Sequence, residues 1–175
     1  MRRFAGAAAP GPVLDVGCGA AGHLGRFVAD LGVRAIGVDF SERSVAVARR
    51  LHPALGFVAA DMRQLAIASR ACTGVLAFYS LLYGGPEDTA AMLGELRRVL
   101  RPGGRLLAAV HAGQGVQRFT DYKGVAVDVE LHHREPDAFA ALIRTAGFVV
   151  ESVEVRPPYP FEHATERLYV AARAA

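Results

Sequence analysis

Cysteine is scarce in this chain of 175 residues, which contains only Cys18 and Cys72. Two thiols cannot build a disulfide framework, and their spacing matches no metal-ligand pattern. Two free thiols favour a reducing compartment, so we expect a cytoplasmic protein. No apolar run reaches the roughly 18 residues of a membrane span, and Phe4–Pro10 is too short and weakly apolar for a signal peptide.

Clustered positive charge is also missing. The 20 Lys and Arg residues are nearly balanced by 17 Asp and Glu residues, which leaves a net charge of +3. Arg49–Arg50 and Arg97–Arg98 fall within helical patterns, which is typical of solvated helix faces. A nucleic-acid substrate is therefore disfavoured, because its binding requires basic clusters interleaved with aromatic side chains.

The chain has 175 residues, of which 52% are hydrophobic, and this is enough for one well-buried core but too few residues for two sizeable domains. No linker or internal repeat divides the sequence, so we expect residues 1–175 to form one domain.

Apolar runs of strand length alternate with segments of helical period over the first two thirds of the chain. The predicted strands are Val13–Val16, Arg34–Val38, Gly56–Ala59, Gly74–Phe78 and Arg105–His111, and the predicted helices are Gly22–Leu31, 41–51 and Glu87–Leu100. Continuous apolar strands that alternate with helices predict an α/β fold, Rossmann-like and doubly wound, with a parallel sheet covered on both faces.

The last third of the chain has a different pattern. Gly124–Leu131 alternates like a half-exposed strand, and Asp137–Ala146 has a helical period. Phe148–Val155 and Leu168–Arg173 are predicted strands joined by a proline-rich loop, which indicates an antiparallel strand at the sheet edge. We expect the connections 113–135 and 156–166 to shape a substrate pocket.

The loop after the first strand is the strongest candidate for a ligand site, because ligands of such sheets bind beyond the carboxyl ends of the strands. Gly17 and Gly19 permit backbone conformations and a close ligand approach that a Cβ would block. Asp15 precedes these glycines, where its carboxylate could face a cationic amine or order the loop.

Two further carboxylates end the next two predicted strands. Asp39 suits a contact with both ribose hydroxyls of an adenosine. Asp61 could accept a hydrogen bond from an adenine amino group, and Met62 could pack on its ring. Each feature alone is weak evidence, but three of them at the tips of successive strands converge on one crevice.

The segments VLDVGCG, IGVDFS, VAADM and LRRVLRPGG resemble the motifs of class I S-adenosylmethionine (SAM)-dependent methyltransferases. The resemblance is closest to the small bacterial branch that acts on small molecules, and it covers roughly residues 12 to 173. It implies a mostly parallel seven-stranded sheet with an antiparallel last strand. It also implies methyl transfer from SAM to an O, N or C nucleophile, with S-adenosylhomocysteine (SAH) as product.

The resemblance assigns cofactor contacts to residues at the tips of the first four strands. Asp15, Gly17 and Gly19 would surround the methionine part of SAM, with Cys18 in the same cofactor-binding loop, and the backbone carbonyl of Phe78 would approach it. Asp39 would hold the ribose. The adenine would be contacted by Phe40, Asp61 and Met62.

Candidate catalytic residues lie at the ends of the fourth and fifth predicted strands. His111 is the best candidate for a general base, and Tyr83 would line the substrate pocket. The adjacent pair His132-His133 would point to opposite faces of a strand, so we expect no metal site there.

Two features depart from the family pattern. Ala21 stands where the third glycine is usual and Gly22 follows it, which predicts a loop one residue longer. About a dozen residues precede the first strand, so we expect a minimal N-terminal lid, which a homodimer partner could complete.

Two alternatives remain open. The pattern Gly17-x-Gly19-x-x-Gly22 with Asp39 also fits an NAD-dependent oxidoreductase, although the chain has no Tyr-x-x-x-Lys pair and no second domain. The protein could also bind SAM without methyl transfer, as a scaffold or a natural-product cyclase.

Overall fold

The computed structural model of the protein describes residues 1–122 and 124–175, which form a seven-stranded sheet, a separate two-stranded sheet and five helices. The strands of the described residues are β1 (Val13–Val16), β2 (Ala35–Asp39), β3 (Gly56–Ala59), β4 (Cys72–Phe78), β5 (Leu100–His111), β6 (Val116–Tyr122), β7 (Val125–His132), β8 (Phe148–Arg156) and β9 (Arg167–Ala174). The helices are α1 (Arg2–Ala8), α2 (His23–Asp30), α3 (Glu42–Leu51), α4 (Pro86–Val99) and α5 (Pro136–Thr145).

The large sheet has the strand order β3-β2-β1-β4-β5-β9-β8. Neighbouring strands from β3 to β5 are parallel, whereas β9 runs antiparallel to both β5 and β8. This confirms the prediction of a mostly parallel seven-stranded sheet with an antiparallel last strand. The strand order reverses between β1 and β4, and this switch point opens a crevice at the carboxyl ends of the strands.

Helices bury apolar side chains on the sheet in separate clusters. One cluster contains Ala5 and Ala8 of α1 and Val28 of α2, packed with Val13 and Leu76 of the sheet. A larger cluster joins α4 and α5 to the central strands, through Leu93, Leu96, Phe139, Ile143, Val75 and Val110. Helix packing therefore holds the sheet in place, and the ends of its strands position the loops of the crevice.

Local sequence determines where the helices begin. Ser41 caps α3, because its Oγ accepts a hydrogen bond from the backbone N–H of Ser44 at 3.2 Å. Pro86 occupies the first turn of α4, where a missing N–H removes no helical hydrogen bond. None of the helices within residues 1–122 and 124–175 combines the length and apolar character needed to cross a membrane.

Two elements of the structure are absent from the predictions. The seven-residue helix α1 packs against β4 and β5. The strand β6 pairs with β7 in an antiparallel hairpin, between residues that were predicted to be part of one long connection. Strand β7 itself lies within one residue of the prediction at each end. The hairpin stands outside the large sheet, close to its carboxyl-end crevice.

Candidate functional site

The loop after β1 depends on two glycines with left-handed backbone. Gly17 has φ +71° and Gly19 has φ +61°. A Cβ on Gly17 would lie 2.3 Å from Cβ of Ser80, so no larger residue fits there. The backbone N–H groups of Gly17 and Cys18 both donate to the carbonyl of Val38. The loop is thus folded tightly over the end of β2.

Asp39, the last residue of β2, connects that strand to the glycine loop. Its Oδ2 accepts a hydrogen bond from the backbone N–H of Gly19 at 2.8 Å, and its Oδ1 accepts from the N–H of Ser41 at 2.9 Å. The carboxylate thereby holds the loop and the start of α3 in one arrangement.

Asp15 and Cys18 lie behind the loop, in the protein interior. Asp15 is 2% exposed, and its Oδ2 accepts a hydrogen bond from Gly25 in the first turn of α2. Burial raises the pKa of Asp15 to about 6. The Cys18 side chain packs with Val45 and Phe57, and burial raises the pKa of its thiol to about 12. Both side chains therefore support the loop from beneath.

A cavity of about 750 Å³, here called the glycine-loop cavity, opens at the switch point. Six of the predicted cofactor residues line it, namely Gly17, Gly19, Asp39, Phe40, Asp61 and Met62. Phe40 is 78% exposed, so its ring is available to cover a ligand. Arg63 forms an ion pair with Asp61 at 2.7 Å and keeps the pKa of that carboxyl below its ordinary value.

The tip of β4, where candidate catalytic residues were predicted, contributes Tyr79 and Ser80 to this cavity. Tyr79 has φ +56°, a strained conformation for a side-chain-bearing residue. Ser80 follows it, and its buried Oγ has no hydrogen-bond partner among the described residues. A buried hydroxyl without a partner is costly and indicates a place for a polar ligand group. Sequence alone offers no pattern that would distinguish this serine.

The side chain of Phe78 lies outside the glycine-loop cavity. It contacts Tyr169 edge-on and lines a different cavity with Met1 and Phe4, beside α1. The reason is the alternation of side chains along β4, which directs neighbouring residues to opposite faces of the sheet. The Phe78 ring also meets the ring of Tyr79 edge-on, with centroids 6.4 Å apart, but it does not line the glycine-loop cavity.

A second cavity of about 470 Å³, here called the histidine cavity, adjoins the first. The two cavities share Tyr83 and Val129 as lining residues. Apolar side chains of the β6–β7 hairpin form one wall, namely Phe119, Val127, Val129 and Leu131, and three imidazoles contribute polar groups, namely His111, His133 and His163. No acidic residue of the described chain lines this cavity.

His111 ends β5 and forms a hydrogen bond between its Nδ1 and Oγ1 of Thr165 at 2.6 Å. Its ring also packs against Tyr79, with centroids 5.2 Å apart. Burial lowers the pKa of His111 to about 4, and the positive charges of Arg167 and the neighbouring histidines contribute to the shift. The imidazole is therefore neutral at physiological pH.

The loop that carries Tyr83 is held by a buried arginine. Arg134 is 7% exposed and donates hydrogen bonds to the carbonyls of Leu81 and Gly84 and to Oγ1 of Thr89. Burial lowers the pKa of its guanidinium. Tyr83, half exposed, thus stands on a rigid loop at the boundary of the two cavities.

Comparisons with known proteins agree on one family. Residues 13–104 match the family model described as "Methyltransferase domain". A protein of Mycolicibacterium smegmatis named "Probable S-adenosylmethionine-dependent methyltransferase" is 31% identical over 153 residues, which are 86% of this chain and 56% of that protein. The malonyl-[acyl-carrier protein] O-methyltransferase of Serratia marcescens is 34% identical over 144 residues, 81% of this chain and 54% of that protein.

A solved structure shows the same fold. The crystal structure of a SAM-dependent methyltransferase from Methanosarcina mazei superposes with a TM-score of 0.85 at 16% identity, over 94% of this chain and 92% of that chain. The chain spans about half the length of the curated relatives it matches.

Proposed function

This chain belongs to the SAM-dependent methyltransferases, and on that premise we propose that it transfers a methyl group from SAM to a small-molecule acceptor bound in the histidine cavity. One observation carries the proposal. The glycine-loop cavity, with carboxylates at the tips of two successive strands, shares the residues Tyr83 and Val129 with a second, largely apolar cavity. Two adjoining cavities suit a reaction that requires a cofactor and an acceptor side by side.

The residues of the glycine-loop cavity fit SAM. Gly17 and Gly19 leave space for a close backbone approach, and the buried Ser80 hydroxyl offers a partner for the polar methionine part. Asp39 would hold the ribose, and Asp61, Met62 and Phe40 the adenine.

Three predicted contacts do not line the cavity directly. Cys18 would support the loop by packing beneath it. Asp15 would act from beneath, by ordering the loop through Gly25. Phe78 would contribute its backbone carbonyl to the methionine amine.

SAM, when bound, supplies a methyl group on a sulfonium, which is an electrophile that needs no further activation. The protein therefore has to position an acceptor in line with that group and to manage the acceptor's proton. His111 and Tyr83 border the region where the two cavities meet. The apolar hairpin wall excludes water from it and suits a planar or largely apolar acceptor.

The malonyl-[acyl-carrier protein] O-methyltransferase relative supports an oxygen atom as the methyl acceptor. Small molecules fit the size of the histidine cavity, about 470 Å³, better than a macromolecular strand does. The lack of clustered positive charge in the sequence is consistent with that choice.

Two measurements, made one after the other, test the proposal. In a thermal-shift experiment, SAH should raise the Tm and NAD should not, and the opposite result would favour an oxidoreductase. SAM with a deuterated methyl group is then incubated with the protein and a bacterial metabolite extract. We expect a product heavier by the labelled methyl group in mass spectrometry. SAH binding without any labelled product would indicate a protein that binds SAM without methyl transfer.

A further inference from the structure

The histidine cavity contains an imidazole whose tautomer is determined by a carbonyl. Nδ1 of His133 lies 3.3 Å from the backbone oxygen of Ala112. A carbonyl oxygen only accepts, so the neutral His133 ring carries its proton on Nδ1. Its Nε2 is then an unprotonated, basic nitrogen. This nitrogen has no hydrogen-bond partner in the described part of the chain.

The neighbouring imidazole, His111, has the opposite tautomer. Its Nδ1 contacts Oγ1 of Thr165, and the same oxygen accepts a hydrogen bond from Nη1 of the buried Arg167 at 2.7 Å. Among residues 1–122 and 124–175, Nδ1 of His111 is the one acceptor within reach of the Thr165 hydroxyl proton. The arrangement that satisfies every group therefore has Thr165 donating to His111, whose own proton resides on Nε2.

We propose that His133 is the general base of the methyl transfer, whereas His111 holds the acceptor by donating a hydrogen bond from Nε2. This inference rests on the proposed function and deepens it. The two rings line the same cavity with centroids 6.1 Å apart, so one offers a base and the other a donor to a single bound molecule. The role differs from the sequence-based prediction, which named His111 as the base.

The pair of imidazoles also defines a substrate class. A phenol or enol with a neighbouring carbonyl can give its hydroxyl proton to His133 and accept from His111 through the carbonyl oxygen. The apolar side chains of Phe119, Val127 and Leu131 suit a planar ring, and the absence of acidic lining among the described residues disfavours a cationic acceptor. We therefore expect an ortho-hydroxycarbonyl arene or a related enol.

In the proposed methyl transfer, each bond that forms is matched by one that breaks. The acceptor O–H bond breaks and its proton moves to Nε2 of His133, while the acceptor oxygen forms a bond to the methyl carbon. The electron pair of the sulfonium–methyl bond stays on sulfur, which becomes a neutral thioether. The single positive charge thereby passes from the sulfonium to the imidazolium of His133.

The electrostatic surroundings of His111 agree with its role as a donor. Its lowered pKa, about 4, keeps the ring neutral and makes Nδ1, the unprotonated nitrogen, a poor site for a second proton. The positive charge of Arg167 next to Thr165 further opposes an imidazolium at His111.

A first test measures the tautomers without any substrate. The full-length protein is labelled with ¹⁵N-histidine, and long-range ¹H–¹⁵N spectra assign each ring with the help of the variants H111Q, H133N and H163Q. We expect His111 protonated on Nε2 and His133 protonated on Nδ1. The reverse pattern, or the same tautomer in both rings, would overturn the proposal.

A second test uses substitutions that preserve one hydrogen bond each. The variant H111Q keeps an N–H donor at the position of Nε2–H of the histidine, and H133N keeps one at the position of Nδ1–H. Neither amide side chain can act as a base. The probes are 2′-hydroxyacetophenone, a weakly acidic phenol beside a carbonyl, and 2-hydroxy-1,4-naphthoquinone, which is already an anion at neutral pH. Methylation is followed with deuterated SAM.

We expect H133N to lower kcat on hydroxyacetophenone by about 10²-fold or more, and far less on the ionised quinone, which needs no base. H111Q should lose less than tenfold on both probes. The matched control is H132N, the same change at the neighbouring position, where the ring lies beside Glu130 instead. It should leave kcat unchanged.

A loss in H111Q as large as in H133N would overturn the assignment of the base. Methylation of neither probe by a wild-type protein that binds SAH would overturn the substrate class, while the spectra still decide the tautomers. Failure to bind SAH would instead contradict the proposed function itself.

Discussion

Oδ2 of Asp39 lies 2.8 Å from the backbone nitrogen of Gly19, a residue 20 positions earlier in the chain. The carboxylate that is proposed to hold the ribose thus also fixes the loop proposed to hold the methionine part. Its second oxygen is bound by the N–H of Ser41. Each oxygen retains a further lone pair for a ligand hydroxyl.

Replacement of Asp39 by alanine should weaken SAH binding at least tenfold, or by about 1.4 kcal/mol. The reason is twofold, because the variant loses the ribose contact and releases Gly19. Isothermal titration calorimetry measures the affinity. D39N is the matched control, since it keeps the shape and one acceptor oxygen, and it should fall between wild type and D39A. An unchanged affinity of D39A would contradict the ribose assignment.

Gly17 should tolerate alanine much less well than Gly19 does. Both have positive φ, which costs a side-chain-bearing residue about 1–2 kcal/mol. A Cβ at Gly17 would also meet Ser80 at 2.3 Å, whereas nothing lies within 4 Å of one at Gly19. We expect the free energy of unfolding of G17A to be lower than that of G19A by about 1 kcal/mol, as measured by urea unfolding.

The double variant G17A/S80G separates the clash from the backbone strain. If the contact with Ser80 causes the excess cost, removing the serine side chain should recover most of it in a double-mutant cycle. Additive effects of the two substitutions would show that the clash is relieved in another way.

Asp15 should make stability depend on pH. Its folded-state pKa of about 6 lies above the ordinary 3.8, so the folded state binds the proton more tightly than the unfolded chain. The stabilising effect of this proton is fully present below about pH 4 and is lost as the pH rises to about 6. D15N lacks this dependence, so its stability relative to wild type should increase over that range, by up to about 3 kcal/mol.

Urea unfolding at several pH values between 4 and 7 checks the prediction for Asp15. D30N is a suitable control, because Asp30 forms an exposed pair with Arg26 and should follow the wild-type profile. Parallel stability profiles of D15N and wild type would contradict a raised pKa of Asp15 in the folded state.

Arg134 should be a strong determinant of stability. R134L would leave the carbonyls of Leu81 and Gly84 and the hydroxyl of Thr89 without their donor in the interior. We expect a loss of about 2–4 kcal/mol in the free energy of unfolding. The control R105L removes the surface pair with Glu151 and should cost less than about 1 kcal/mol. Equal losses in the two variants would contradict the role of Arg134.

The central strands of the sheet were predictable from the sequence, because β1 and β4 are buried on both faces and their apolar runs are continuous. The edge strand β3, in which only Phe57 is buried, was predicted from its short apolar run. Val13–Val16 and Gly56–Ala59 have the predicted bounds. β6 was not predicted, because Gln117, Arg118 and Asp121 interrupt its apolar pattern. A hairpin with one face toward a cavity and the other toward solvent lacks the continuous burial that makes a strand recognisable.

The candidate site was predictable in its position more than in its details. The tips of β1, β2 and β3 were identified because glycines and carboxylates at strand ends have a clear physical use. Contacts between segments that are distant in the sequence were not predictable, and these contacts determine the hydrogen-bonding states of His111, His133 and Ser80. Thr165 reaches His111 over a separation of 54 residues, which no local pattern reveals.

The β6–β7 hairpin forms a sheet of its own, and its described residues pair with no strand of the large sheet. The wall of the histidine cavity, the proposed acceptor site, is thus encoded apart from the scaffold of the glycine-loop cavity. Exchanges at Phe119 or Val127 can reshape that wall while the folding core stays intact, whereas Leu131 also packs against the core. Under the proposed function, such a division would let natural variation, or a focused library at Phe119 and Val127, alter which acceptors are methylated without rebuilding the proposed cofactor site.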